Sequence, residues 1–216
     1  VCLLATSVFA QRVRVVHASP DAPAVDIRVD GAPAIDALPY GDATDYVSLP
    51  AGQRIFQVMV AGTDTQVTSL NATIDSGADY TVVAAGFATG SRTPGFRLIV
   101  LRDNNFEPEA GQARIRIVHA AASAPTVDIY YGAPYVTVRP AGTAPVLAGV
   151  PFGAASGYLT VPSNQQAFAT VTPAGSKTTA FSGRLLFGSR NVRTIFALDA
   201  PGGGAPFRFL VLNDRN

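Results

Sequence analysis

The chain repeats itself. Arg12-Val-Arg-Val-Val-His17-Ala18 returns 102 residues later as Arg114-Ile-Arg-Ile-Val-His119-Ala120, and Pro23-Ala-Val-Asp26-Ile27 returns at the same spacing as Pro125-Thr-Val-Asp128-Ile129. Pro39-Tyr-Gly41, Tyr46 and Pro50 recur 112 residues on as Pro151-Phe-Gly153, Tyr158 and Pro162, so the second copy carries about ten extra residues between Asp128 and Val150. Phe96-Arg-Leu-Ile-Val-Leu-Arg-Asp103 closes the first copy, and Phe207-Arg-Phe-Leu-Val-Leu-Asn-Asp214 closes the second. Three ordered blocks at nearly constant spacing define two modules, each large enough to bury a core of its own. The expected domains are residues 11–104 and 112–216. A polar linker over 105–111 joins them, holding Pro108, Gly111 and the only two glutamates, Glu107 and Glu109.

Within each copy apolar residues alternate with polar ones, the period of a half-buried strand and not of a helix. The pattern predicts strands near 12–18, 24–30, 43–49, 53–61, 66–74, 79–87 and 96–102 in the first copy. The second copy reads as strands near 114–120, 126–131, 135–139, 156–161, 166–172, 178–187, 190–199 and 207–213. The 20 Gly and 16 Pro that punctuate them fit frequent turns. The fold class is therefore all-β: two tandem immunoglobulin-like antiparallel β-sandwich domains, with a single closed barrel as the alternative architecture. The cysteine and tryptophan core of antibody domains is absent, since the chain has 1 Cys and no Trp.

Charge and cysteine content exclude several functions. Sixteen Lys plus Arg against fifteen Asp plus Glu leave a net charge of +1, which steers nothing toward nucleic acid. One Cys forms no internal disulfide, and with 2 His it supplies no conventional zinc cage, so neither metal nor cofactor is expected. Residues 1–10, VCLLATSVFA, read as the end of a secretory signal peptide with Gln11 as the mature start; a buried first strand is the alternative. Cys2 then belongs to the signal core and not to a lipid-attachment site. No apolar run reaches the roughly 18 residues of a membrane-spanning helix. The expectation is export, to the periplasm, the cell surface or the medium.

The block VVHASPDAPAVDIRVDG, followed by Pro39-Tyr-Gly41, a Tyr-Val-Ser-Leu-Pro-Ala-Gly turn and the closing Phe-Arg-Leu-Ile-Val-Leu strand, resembles the bacterial domain-of-unknown-function family numbered 4397. The resemblance covers most of residues 12–103. The second copy fits less tightly, because His119-Ala-Ala-Ala-Ser-Ala-Pro125 lacks the Pro20-Asp21 pair. What the resemblance implies is a secreted or cell-surface β-sandwich module, often in tandem, without an assigned activity.

His17 with Asp26, and His119 with Asp128, are each nine residues apart. One reading makes each pair a general base and its orienting carboxylate, and a hydrolase would use His17 with Asp21 or Asp26. The other makes the histidine a donor to a turn backbone and the aspartate a cap. The structural reading is preferred because both copies keep the pair, together with Pro23 and Pro125, whereas Ser19 and Asp21 occur only in the first. Six aspartates between Asp21 and Asp45 suggest calcium, but not in EF-hand spacing, and turn formation explains them better. Tyr130, Tyr131 and Tyr135, with Asp21, are the candidate binding residues, since aromatic faces stack on sugars or on protein. The expected role is a non-enzymatic interaction module for a protein or cell-surface polymer. The alternative is a subunit that self-associates through edge strands into a filament, suggested by the low charge and the sparse lysine of the strands, because protected edges usually carry lysine.

Overall fold

The computed structural model describes residues 11–132 and 142–215. The expected signal segment 1–10, the strand predicted over 135–139 and Tyr135 lie outside the described residues. The first repeat forms β1 (Arg12–Ala18), β2 (Val25–Val29), β3 (Ala32–Leu38), β4 (Val47–Ser48), β5 (Gly52–Val60), β6 (Gln66–Ile74), β7 (Asp79–Ala85) and β8 (Arg97–Asp103). The second forms β9 (Gln112–His119), β10 (Val127–Gly132), β11 (Leu147–Val150), β12 (Leu159–Pro162), β13 (Gln166–Pro173), β14 (Phe181–Leu186), β15 (Val192–Leu198) and β16 (Arg208–Asn213). Among the described residues there is no helix, so none is long and apolar enough to cross a membrane.

The strands make four open sheets of four and no closed barrel. Order β4-β1-β7-β8 faces order β3-β2-β5-β6 in the first sandwich, and order β12-β9-β15-β16 faces β11-β10-β13-β14 in the second. β9 pairs antiparallel with β12 but parallel with β15, while β15 with β16, β2 with β5 and β5 with β6 run antiparallel. In the second core Ile115 and Ile117 of β9 and Ile195 of β15 meet Val127 and Ile129 of β10 and Val171 of β13 across the two sheets.

The pattern missed two strands, β3 and β11. Pro33, Asp36 and the positive φ of Ala37 (49°) break the alternation of β3, and only Leu38 of it is buried. The turn before it was legible: Asp30 (φ 52°) and Gly31 (φ 82°) form the Asp-Gly pair of a two-residue hairpin between β2 and β3.

The chain divides into two compact units. The first holds the described residues up to His17, with Pro23–Ala84 and Leu98–Asp103. The second holds Ala18–Ala22, Ala85–Arg97 and the residues from Asn104 on, and so takes in two segments of the first repeat and the whole linker. Within it Glu107 pairs with Arg190 at 2.7 Å and with Arg215.

Candidate functional site

Each histidine ends a first strand with its ring in the core, His17 at 0% and His119 at 1% exposure. His17 Nε2 lies 2.9 Å from the Pro23 carbonyl, and His119 Nε2 lies 2.9 Å from that of Pro125. A carbonyl only accepts, so Nε2 carries the proton in both rings and donates it. Tyr40 meets the His17 ring edge-on at 6.0 Å, and Phe152 meets His119 at 6.2 Å. Nε2 is therefore spent on holding the turn, and both rings lie in the core away from solvent. Sequence reading expected a histidine donating to a turn backbone; the acceptors are the Pro23 and Pro125 carbonyls. His119 also borders an apolar cavity of about 80 Å³ beside Phe181 and Phe207, and its Nδ1 is buried without a partner.

Asp26 and Asp128 are straps across strands and not local caps. Asp26 accepts from the Ala37 N–H at 2.7 Å and the Gly62 N–H at 2.9 Å. Asp128 accepts from Gly149 at 2.8 Å and Gly175 at 2.9 Å. All four donors have φ between 49° and 75°, so each carboxylate pins two left-handed residues, one on the neighbouring edge strand and one in the turn after β5 or β13. These backbone bonds hold both carboxyls below the usual aspartate range.

Asp21 is occupied in the same way. It accepts from the Ala88 N–H at 2.7 Å and the Thr89 hydroxyl at 2.6 Å, and Arg92 stands 3.4 Å away. The clamp ties the loop after β1 to the loop after β7. In the second copy the acid has changed sides: Asp199, the residue that follows β15, accepts from the Ser123 hydroxyl and N–H in the loop after β9. In the first copy Gly86 follows β7 instead, and a Cβ there would lie 2.3 Å from the Gly95 carbonyl oxygen. No side chain fits at that position, and the carboxylate sits on the opposite loop. Asp21 is thus a loop clamp, and among the described residues no three His, Cys, Asp or Glu are grouped as metal ligands.

Two buried polar networks escaped the sequence reading. Asp103 accepts from the Tyr46 hydroxyl at 2.6 Å and the Thr81 hydroxyl at 2.7 Å, and Arg14 Nε donates to Thr81 at 2.9 Å beneath the Tyr46 ring. Asp214, Tyr158, Thr194 and Arg116 repeat the arrangement, with both hydroxyls 2.7 Å from the carboxylate. The arginine, threonine and aspartate of each network are buried, and Tyr46 and Tyr158 lie half-buried over them.

What remains open is a pair of clefts. In the first unit a cleft of about 400 Å³ lies between the edge strands β3 and β4, floored by Val13, Val15, Ile27 and Phe56. In the second a cleft of about 370 Å³ is lined by Tyr131, Val146 and Leu159–Pro162. The two correspond: Tyr131 stands where the first repeat has Val29, Val146 where it has Ala34, and Leu159–Pro162 where it has Val47–Pro50. An apolar concavity of this size with few polar groups is the usual form of a ligand site. The Arg54 to Asp30 ion pair, 2.8 Å long, borders the first cleft, and the Tyr131 hydroxyl, buried without a partner, belongs to the second. Tyr130 points the other way, 1% exposed, with its hydroxyl 3.0 Å from Lys177 Nζ. Of the tyrosines named from sequence, Tyr131 alone reaches a cleft among the described residues.

Burial also lowers the basicity of both histidines, His17 and His119 alike. A group whose folded pKa lies below its unfolded value of about 6.5 takes up its proton on unfolding first, so stability is full above that pH and falls as pH drops through it. The melting temperature should therefore fall from pH 7.5 to about pH 5, before the straps at Asp26 and Asp128 protonate. A flat profile across that window would contradict neutral, buried rings.

A family model described as a domain of unknown function, DUF4397, matches residues 11–130. No curated protein matches the chain. Among solved structures, similarity is found to a streptococcal virulence factor described as binding alpha-glucan, at 12% identity and a TM-score of 0.26 over 86% of this chain and 92% of that one. A candidate cell adhesion protein from Bacteroides uniformis is 12% identical with a TM-score of 0.29, over 94% and 97%. One from Bacteroides fragilis is 9% identical with a TM-score of 0.26, over 95% and 98%. At such scores the fold rests on the strand topology of the chain itself.

Proposed function

This chain belongs to the DUF4397 family, and from that premise we propose that it is an exported, non-enzymatic binding module made of two copies of that domain. Each copy takes apolar surface of its ligand into the cleft between its edge strands. The observation that carries this reading is the recurrence of the cleft at equivalent positions of two copies that differ at most other residues. A scaffold fills voids, since close packing is what stabilises it; here, among the described residues, both sandwiches leave a concavity at the same edge. The hydrolase alternative finds no support in a histidine whose Nε2 is bonded to a carbonyl. Two clefts in one chain also suit a polymeric ligand, because the second contact then forms at high effective concentration.

Titration of the folded chain with the amphiphile 1-anilinonaphthalene-8-sulfonate tests this. Two sites are expected. Ala34→Trp should remove one and Val146→Trp the other, because each indole would fill its cleft. An unchanged stoichiometry in the double variant would overturn the assignment.

A further inference from the structure

His119 keeps one ring nitrogen in reserve. Nε2 donates to the Pro125 carbonyl at 2.9 Å, and Nδ1 is buried with no hydrogen-bond partner among the described residues. With the proton on Nε2, the neutral ring offers a lone pair at Nδ1 and no hydrogen, so this atom can only accept. Buried polar atoms are paired as a rule, because an unmade hydrogen bond forfeits the hydration the atom had in water. His17, at the equivalent place in the first copy, is not left without a partner.

The same ring forms part of the wall of the apolar cavity of about 80 Å³ at the end of the second sandwich. Ala121 of the loop after β9, Val127 of β10, Val171 of β13, Phe181 of β14 and Phe207 just before β16 are also in the wall. Ser123, Pro125 and Ala180 are exposed and mark the mouth. The Ser123 hydroxyl is already engaged, donating to Asp199 and accepting from the Gly204 N–H at 3.0 Å. The two copies diverge at this spot. Ala121 stands where the first copy has Ser19, and the strand registers put Phe181 where it has Thr68. Two hydroxyl side chains of the first copy are thus hydrocarbon in the second, around an unpaired acceptor.

We propose that this cavity is a binding site for a small neutral alcohol, whose hydroxyl donates to His119 Nδ1 while its carbon chain lies against Phe181 and Phe207. Water suits the site poorly, since it needs about two to four polar partners and meets one. A hydrocarbon fills the space and leaves the nitrogen unpaired; a ketone brings a second acceptor to the first. An anion finds no positive charge in the wall. One donor on a hydrocarbon body is what fits. At roughly 30 Å³ for each water-sized group, the cavity of about 80 Å³ takes roughly three or four non-hydrogen atoms, and any longer chain leaves by the mouth. So small a ligand binds with a dissociation constant of roughly millimolar order. This inference does not depend on the edge clefts.

The test reads the nitrogen itself. The chain has 2 His, so a nitrogen-15 spectrum of the imidazole rings at neutral pH resolves both. Titration of the folded chain with 2-propanol should move the His119 Nδ1 resonance upfield to saturation, as acceptance of a hydrogen bond does, and leave His17 in place. Acetone, of the same size without a donor, should not produce that shift. Val127→Ile with Val171→Ile adds two methylenes to the wall and should weaken binding roughly tenfold or more. Ala180→Leu narrows the mouth and should act in the same direction, and thermal melts check that both variants fold. No saturable shift at His119, an equal response at His17, or undiminished binding in both folded variants would overturn the proposal. Occupancy of the edge clefts leaves the His119 resonance unmoved, so failure of either assignment is distinguishable from failure of the other.

Discussion

Asp103→Ala is expected to cost on the order of 3 kcal/mol of stability, and Asp214→Ala a similar amount. Each carboxylate accepts from a buried threonine hydroxyl and a half-buried tyrosine hydroxyl, so truncation removes the acceptor of both and strands the threonine away from water. A buried donor left unpaired costs about 1–3 kcal/mol, and breaking a buried charged cluster falls in the same range or above it. For a chain of this size the melting temperature should fall by roughly 10 °C. Asp103→Asn keeps an acceptor oxygen and should cost less. Thr81→Val combined with Asp103→Ala should cost less than the sum of the two, because the first change removes a donor that the second would strand. Additive costs would show that the network is not coupled as the distances imply.

His17→Ala, and equally His119→Ala, is the second large effect, roughly 2–4 kcal/mol each. The substitution opens a cavity beside Tyr40 or Phe152 and removes the donor to the Pro23 or Pro125 carbonyl. His17→Phe restores most of the volume without the hydrogen bond and separates the two contributions. A catalytic histidine behaves differently: its replacement abolishes an activity and leaves stability nearly unchanged. Thermal melts of the two alanine variants therefore decide between scaffold and base, and unaltered melts would reopen the hydrolase reading.

These residues also mark how far the sequence could be read. The repeat, most strands and a histidine that donates to a turn backbone were visible because their residues lie close together in sequence and occur twice. The Asp103 network was invisible for the opposite reason. Tyr46 and Thr81 are 57 and 22 positions from the carboxylate, and each is an ordinary residue of an ordinary strand until the sheet order brings them together. A signal existed in retrospect: Arg14, Tyr46, Thr81 and Asp103 all recur in the second repeat, although only three of them fell inside the blocks that announced it. β3 was missed because Pro33 and a left-handed Ala37 erase the alternation on which strands are recognised. Asp21 is missing from the second copy, and only the structure shows the same loop clamp made from the other side by Asp199. The clefts had no signature at all, since a concavity is a property of what the side chains leave empty.

The paired clefts are the centre of the account, and covalent labelling addresses them most directly. The folded chain, illuminated with an aliphatic diazirine and mapped by mass spectrometry, should carry adducts in two places: on the segment Val47–Pro50 with its neighbour Val29, and on Leu159–Pro162 with Tyr131. Adducts spread over the exposed strand faces, or confined to one repeat, would contradict two equivalent binding clefts.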